Sequence, residues 1–284
     1  MADVPTIPQL AYDAAGPQRA GVPVVLLHSF PLDRSVWRPV ADRLAAASVR
    51  VISPDLPGLG ASPLPAGPPD LAVSADAVAA LLDRIGAPRA VLAGVSMGGY
   101  VALAMARRHP HRLAALALVD TKAQADDDAA RANRERVAVA VLGEAGTRAL
   151  VPMLDSQLAP ASFERRPEVV EQVRRGLAAA RPEGVAWSQR AMAARPDSTR
   201  LLASITVPVA VVAGADDALI PPAVGRQLAA GLPDAVLTLL PDAGHLSPLE
   251  VPDAVANALL ALLLRVPQPA EVRSGPAGVP APPG

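Results

Sequence analysis

The chain has 284 residues and no cysteine, enough length for one large α/β domain with an insertion, and leaves no disulfide, thiolate or cysteine-ligated metal chemistry. Its 26 basic and 27 acidic side chains give a formal net charge of −1, no field that would collect nucleic acid or an anionic membrane, so a small neutral or acidic partner is expected. Hydrophobic residues make up 51 % of the chain but aromatics only 2 %; Ala, Val and Leu spread over alternating segments describe a packed α/β interior rather than a membrane protein.

In chain order, Met1–Thr6 lacks a basic region followed by an apolar core, and no apolar run reaches the about 18 residues of a membrane helix, so a cytoplasmic protein without membrane contact is expected. Continuous apolar runs at 22–27, 49–53, 90–93, 113–119, 207–213 and 236–240 have the character of strands buried on both faces. Helical patterns at about 35–47, 72–85 and 97–108 alternate with the first of these, so a mostly parallel, doubly wound α/β sheet is predicted. From about Thr121 to Ser204 no strand intervenes. Asp126 to Leu142, Glu144 to Leu154, Pro167 to Ala180 and Glu183 to Ala194 each suit a helix, with Pro167 and Pro182 at first-turn positions and Asp126-Asp127-Asp128 as a solvated helix start. The predicted organisation is a core of residues 1–120 and 205–266, a helical cap at 121–204, and a disordered Pro/Gly-rich tail at 267–284.

Sheets of this kind place their chemistry at the carboxyl ends of the strands, and His28, Asp55, Ser96, Asp120, Asp217 and His245 each follow an apolar run. Gly94-Val95-Ser96-Met97-Gly98 stands between a strand and a helix, where a sharp turn exposes a serine and leaves no room for side chains two positions to either side. Ser96 is therefore the candidate nucleophile. A hydroxyl needs a base. Of four histidines, His109 and His111 sit at a polar helix end stopped by Pro110, and His28 is read as a scaffold hydrogen bonder. His245, in a loop after the last strand, is the candidate base. A carboxylate must hold its tautomer; Asp217 is favoured, with Asp216 as a turn or capping residue and Asp120 as a further candidate. The candidate oxyanion donors are the backbone N–H groups of Met97, at the helix start, and Phe30, in the loop after the first core strand. No metal and no cofactor is expected.

His28-Ser29-Phe30-Pro31, Asp55-Leu56-Pro57-Gly58-Leu59-Gly60, Gly94-Val95-Ser96-Met97-Gly98-Gly99, Gly214-Ala215-Asp216-Asp217 and Ala243-Gly244-His245 together resemble the successive signatures of the α/β-hydrolase superfamily, over residues from about 7 to 265. Within it the chain is most similar to the bacterial branch of carboxylesterases, 3-oxoadipate enol-lactonases and cofactor-free haloperoxidase or perhydrolase-type esterases. Ser29 departs from the His-Gly that many members carry. The resemblance implies an ester or lactone hydrolase acting on a small molecule through Ser96, Asp217 and His245. Perhydrolysis, carbon–carbon bond hydrolysis with cap arginines (Arg131, Arg134, Arg190, Arg195), and ligand binding with little turnover are the alternatives. Trp187, Met153, Phe163 and Met192 are candidates for either pocket wall or cap core.

Overall fold

The computed structural model describes residues 7–18 and 21–267. Seven strands form one sheet: β1 (Tyr12–Ala15), β2 (Val24–Leu27), β3 (Val51–Pro54), β4 (Ala90–Val95), β5 (Leu113–Val119), β6 (Val209–Gly214) and β7 (Ala235–Leu240), in the order β1-β3-β2-β4-β5-β6-β7. Every neighbouring pair is parallel except β1 with β3, where Tyr12 faces Pro54 and Ala15 faces Val51. Strands β2, β4, β5 and β6 are buried throughout, as apolar runs sandwiched between two helical layers must be. β1 was not among the predicted strands: its YDAA sequence is largely exposed at the sheet edge and carries no apolar run.

Helices α1 (Arg38–Ala46), α2 (Leu71–Arg84) and α3 (Met97–Arg108) follow β2, β3 and β4 in turn. Between β5 and β6 the chain leaves the sheet for a helical insertion: α4 (Asp128–Leu142), α5 (Leu154–Gln157), α6 (Pro160–Arg165), α7 (Pro167–Ala179), α8 (Pro182–Ala194) and α9 (Thr199–Leu202). It then returns through α10 (Pro222–Ala230) between β6 and β7, with α11 (Ser247–Glu250) and α12 (Pro252–Leu263) after β7. α2 packs against α3, and α12 packs against α1. The sheet thus carries helices on both faces, the doubly wound architecture expected. Prolines at the first position of α7 and α8 lose no hydrogen bond there, since the opening N–H groups of a helix have no partner within it.

One local expectation needs correction. Residues 144–154 are not an α-helix but a 3-10 segment, Gly146–Met153, followed by the short α5. Pro152 cannot donate to the helical ladder, and Gly146, at φ +54°, breaks the run at its start. The helix α6 was not foreseen. The tail predicted to be disordered falls, from residue 268, outside the described residues.

Candidate active site

The site is built where β4, β5, β6 and β7 end. Ser96 closes β4 and opens α3 with φ +53° and ψ −113°, a conformation that a non-glycine residue holds only under constraint, at a cost of order 1–3 kcal/mol. The constraint is visible in its neighbours. A Cβ on Gly94 would stand 2.2 Å from the carbonyl oxygen of Gly98, and one on Gly98 would stand 2.1 Å from that of Leu27. Both glycines are therefore required for the chain to turn this tightly. The turn leaves the Ser96 hydroxyl half-buried, facing the cavity above.

His245 Nε2 lies 2.7 Å from Ser96 Oγ, and its Nδ1 lies 2.8 Å from Asp217 Oδ2. The three side chains predicted from distant stretches of sequence are thus brought together in one hydrogen-bonded row. Asp217 is fixed in turn: its other oxygen, Oδ1, accepts the N–H groups of Leu219 at 2.8 Å and Ile220 at 2.9 Å. Asp216, next to it, is exposed. Burial works to lower the pKa of His245, but the hydrogen bond and charge of Asp217, with the charges of Asp120 and Glu250, outweigh it and raise the pKa above the ordinary 6.5.

Asp120, weighed as an alternative carboxylate, does not touch the imidazole. Its oxygens accept the Gly214 N–H at 2.8 Å and the Ser247 hydroxyl at 2.6 Å, bracing the end of β6 and the segment after His245. Burial, and then the negative charge of Asp217, push its carboxyl up to about 7. His28 is a scaffold residue: Nδ1 lies 2.9 Å from the Ser29 carbonyl and Nε2 accepts the Leu56 N–H at 2.8 Å, and burial lowers its pKa, which fits the neutral ring those contacts need. His109 stands at the end of α3 beside Asp76, away from the site.

The N–H of Met97, first in α3, is one of the helix-start donors without an internal partner. Phe30, from the loop after β2, lines the same cavity as Ser96 and His245. That cavity, of about 450 Å³, is roofed by the insertion: Arg134, Met153, Gln157, Gln189 and Met192 all face into it. Gln157 is buried, and its Oε1 has no hydrogen-bond partner among the described residues. Of the other suggested wall residues, Trp187 is packed into the insertion's interior and Phe163 is 40 % exposed, so neither forms the wall. A smaller cavity, about 150 Å³, lies beyond Tyr100 and Lys122 and does not reach Ser96. Among the described residues no cluster of His, Asp or Glu is arranged to hold a metal ion, and no helix is long and apolar enough to cross a membrane.

The acidic triplet 126–128 is the clearest departure from expectation. Asp127 caps α4, accepting the Ala130 N–H at 2.8 Å. Asp126, read from sequence as part of a solvated helix start, is buried and gathers Arg195 at 2.8 Å, Lys122 at 3.3 Å and Arg134. Burial alone would raise its pKa, but the hydrogen bonds from Arg195 and Arg134 hold it well below the usual carboxylate range. Arg195 also lies 4.0 Å above the Tyr100 ring. Of the four arginines singled out from sequence, Arg134 lines the cavity at Ser96 and Arg195 lines the smaller one, whereas Arg131 and Arg190 pair with Asp128 and Glu135 on the surface.

Residues 22–252 match the family model of the alpha/beta hydrolase fold. The chain belongs to the α/β-hydrolase family. Among α/β-hydrolases of known structure, it is similar to a thermophilic esterase from Thermogutta terrifontis, solved with malate bound, with 40 % identity and a TM-score of 0.87 over 90 % of this chain and 93 % of that one. An enol-lactonase from Burkholderia xenovorans LB400 is 31 % identical with a TM-score of 0.83, covering 90 % and 97 % of the two chains. A pimeloyl-[acyl-carrier protein] methyl ester esterase of Chromobacterium violaceum is 37 % identical over 234 residues, which is 79 % of this α/β-hydrolase and 87 % of the relative.

Proposed function

We propose that this α/β-hydrolase is a serine hydrolase that cleaves a carboxylic ester or lactone of a small molecule through an acyl-enzyme on Ser96. The observation that carries the reading is the row Ser96–His245–Asp217, with contacts of 2.7 Å and 2.8 Å, where Ser96 and His245 line a cavity beneath the insertion. His245 Nε2 takes the hydroxyl proton as Ser96 Oγ attacks the carbonyl carbon. Asp217, held by two backbone N–H groups, keeps Nδ1 protonated and stabilises the imidazolium that forms. The N–H groups of Met97 and Phe30 serve the developing oxyanion. The imidazolium then returns its proton to the departing alkoxide oxygen, and a water activated by the same ring releases the acid.

In this reading residues 121–204 act as a cap that shapes the substrate space over a core of residues 1–120 and 205–266. Relatives named esterase and enol-lactonase support the ester and lactone classes. Hydrolysis of short p-nitrophenyl esters tests it. Ser96→Ala should lower kcat by about ten-thousandfold or more, and a fluorophosphonate should label the wild type but not the variant. Retained turnover in Ser96→Ala rejects the mechanism; labelling without hydrolysis of any ester or lactone in a broad panel favours a binding protein instead.

A further inference from the structure

His245 stands in a loop with no ladder or helix of its own, between the end of β7 and the start of α11. Asp217 orients the ring, but something else must hold the backbone beneath it. A second buried carboxylate is in place to do so. Glu250, 4 % exposed at the end of α11, accepts the N–H of Gly244 on Oε1 at 2.9 Å. On Oε2 it accepts the N–H of Ala159 at 2.7 Å and the hydroxyl of Ser162 at 2.6 Å, both from the insertion. Three donors serve one carboxylate, and they belong to two separate parts of the molecule. The approach is as close as backbone allows, since a Cβ on Gly244 would come within 2.4 Å of the Ala159 nitrogen.

We propose that Glu250 is a positioning residue: it fixes the residue before His245 against the start of α6, and through it the helical insertion sets the reach of the imidazole to Ser96. The inference rests on His245 acting as the base. Charge-assisted hydrogen bonds are shorter and about twice as strong as neutral ones, so a carboxylate with three such bonds is a stiff joint between loop and insertion. Glutamine cannot replace it. Its amide has one acceptor oxygen, and its NH₂ would face an N–H donor either at Gly244 or at Ala159, so one side of the joint opens. The charged groups around His245 are Asp217 before α10, Asp120 at the end of β5 and Glu250 on α11, while the uncharged Ser96 hydroxyl faces it from the start of α3. Farther out, Arg166 reaches the Ser162 hydroxyl at 2.9 Å and Arg165 pairs with Asp242 at 3.0 Å. Loss of the Glu250 charge therefore also removes part of what favours the imidazolium.

Steady-state hydrolysis of p-nitrophenyl acetate between about pH 5 and pH 9, with folding followed by circular dichroism and Tm, tests the proposal on the full chain. Glu250→Gln should lose about 10- to 100-fold in kcat with KM within about twofold, and the acid limb of kcat/KM should move to lower pH. Ser162→Ala removes one donor, keeps the charge and leaves the limb in place. Glu250→Asp keeps the charge but is one methylene short, so it should lose kcat while the limb stays near the wild-type position. If Glu250→Gln fails to fold, Glu250→Asp and Ser162→Ala decide the matter. Asp253→Asn, a nearby exposed carboxylate paired with Arg43, is the control and should change nothing. A folded Glu250→Gln with wild-type kcat and an unmoved limb overturns the proposal, as does a loss of kcat that follows only the fraction of folded protein. Should Ser96→Ala or His245→Ala remain active, the reading of the site fails; should both be inactive while the Glu250 variants are normal, this inference alone fails.

Discussion

Single atoms decide the turn at Ser96. The carbonyl oxygens of Gly98 and Leu27 occupy the space that a methyl group on Gly94 or Gly98 would need. Gly98→Ala should accordingly destabilise the protein by about 2 kcal/mol or more, read as a lowered midpoint in urea unfolding. The spacing of the two glycines made this turn legible in the sequence, because the motif and its steric cause are the same fact. His245 and Asp217 were legible for a related reason: each directly follows a strand whose apolar run marks the sheet edge. Asp120 met the same criterion and stood behind Asp217 as a further candidate; the geometry gives the contact with His245 to Asp217. Its carboxyl, ordinarily at 3.8 and raised here to about 7, costs stability that grows as pH climbs from about 4 to about 7, because the unfolded chain ionises first. Asp120→Asn removes that cost. Its Tm relative to wild type should improve between about pH 5 and pH 8, and an unchanged or opposite trend in thermal melts at the two pH values would show the carboxyl to be ionised in the fold.

Among the elements, the insertion holds a buried ionic network. Asp126, ahead of α4, joins Arg134 on α4 itself to Arg195 after α8, and Arg134 extends the network to Gln189 on α8 at 3.0 Å. Removing one partner of a buried ion pair leaves uncompensated charge behind, a loss of about 3–5 kcal/mol. Asp126→Asn should therefore lower the thermal midpoint well beyond Asp127→Asn, a cap substitution with an amide that can still accept the Ala130 N–H. The sequence could not distinguish these neighbours. A run of three aspartates before an amphipathic helix has the same pattern whether one of them points inward or not, and the direction follows from how α8 crosses α4. The helices themselves were legible where their apolar faces are long, in α4, α7 and α8. They were not between 143 and 165, where glycine and proline break the chain into a 3-10 segment and two helices of 4 and 6 residues, too short to show an apolar period.

Over the whole molecule, the insertion touches the sheet domain through points of closest approach. Gly184 in α8 lies so near the loop after β3 that a Cβ there would stand 1.8 Å from the Gly58 carbonyl oxygen. Gly176 in α7 faces the Leu32 side chain, and Gly244 faces Ala159. Gly184→Ala should push α8 away from the sheet domain, raising KM for esters more than it lowers kcat and costing about 1–3 kcal/mol in urea unfolding. That an inserted helical region exists could be read from the missing strands between residues 121 and 204, but not which of its residues would roof the site. Met153 and Met192 line the cavity while Trp187 does not. At Gly184 against Gly58 and at Gly244 against Ala159 the insertion is seated at backbone-to-backbone distance. Under the proposed reading, that seating is expected to leave ligand exchange to a standing doorway, so that the bulk of an acyl or alcohol group decides which molecules are admitted.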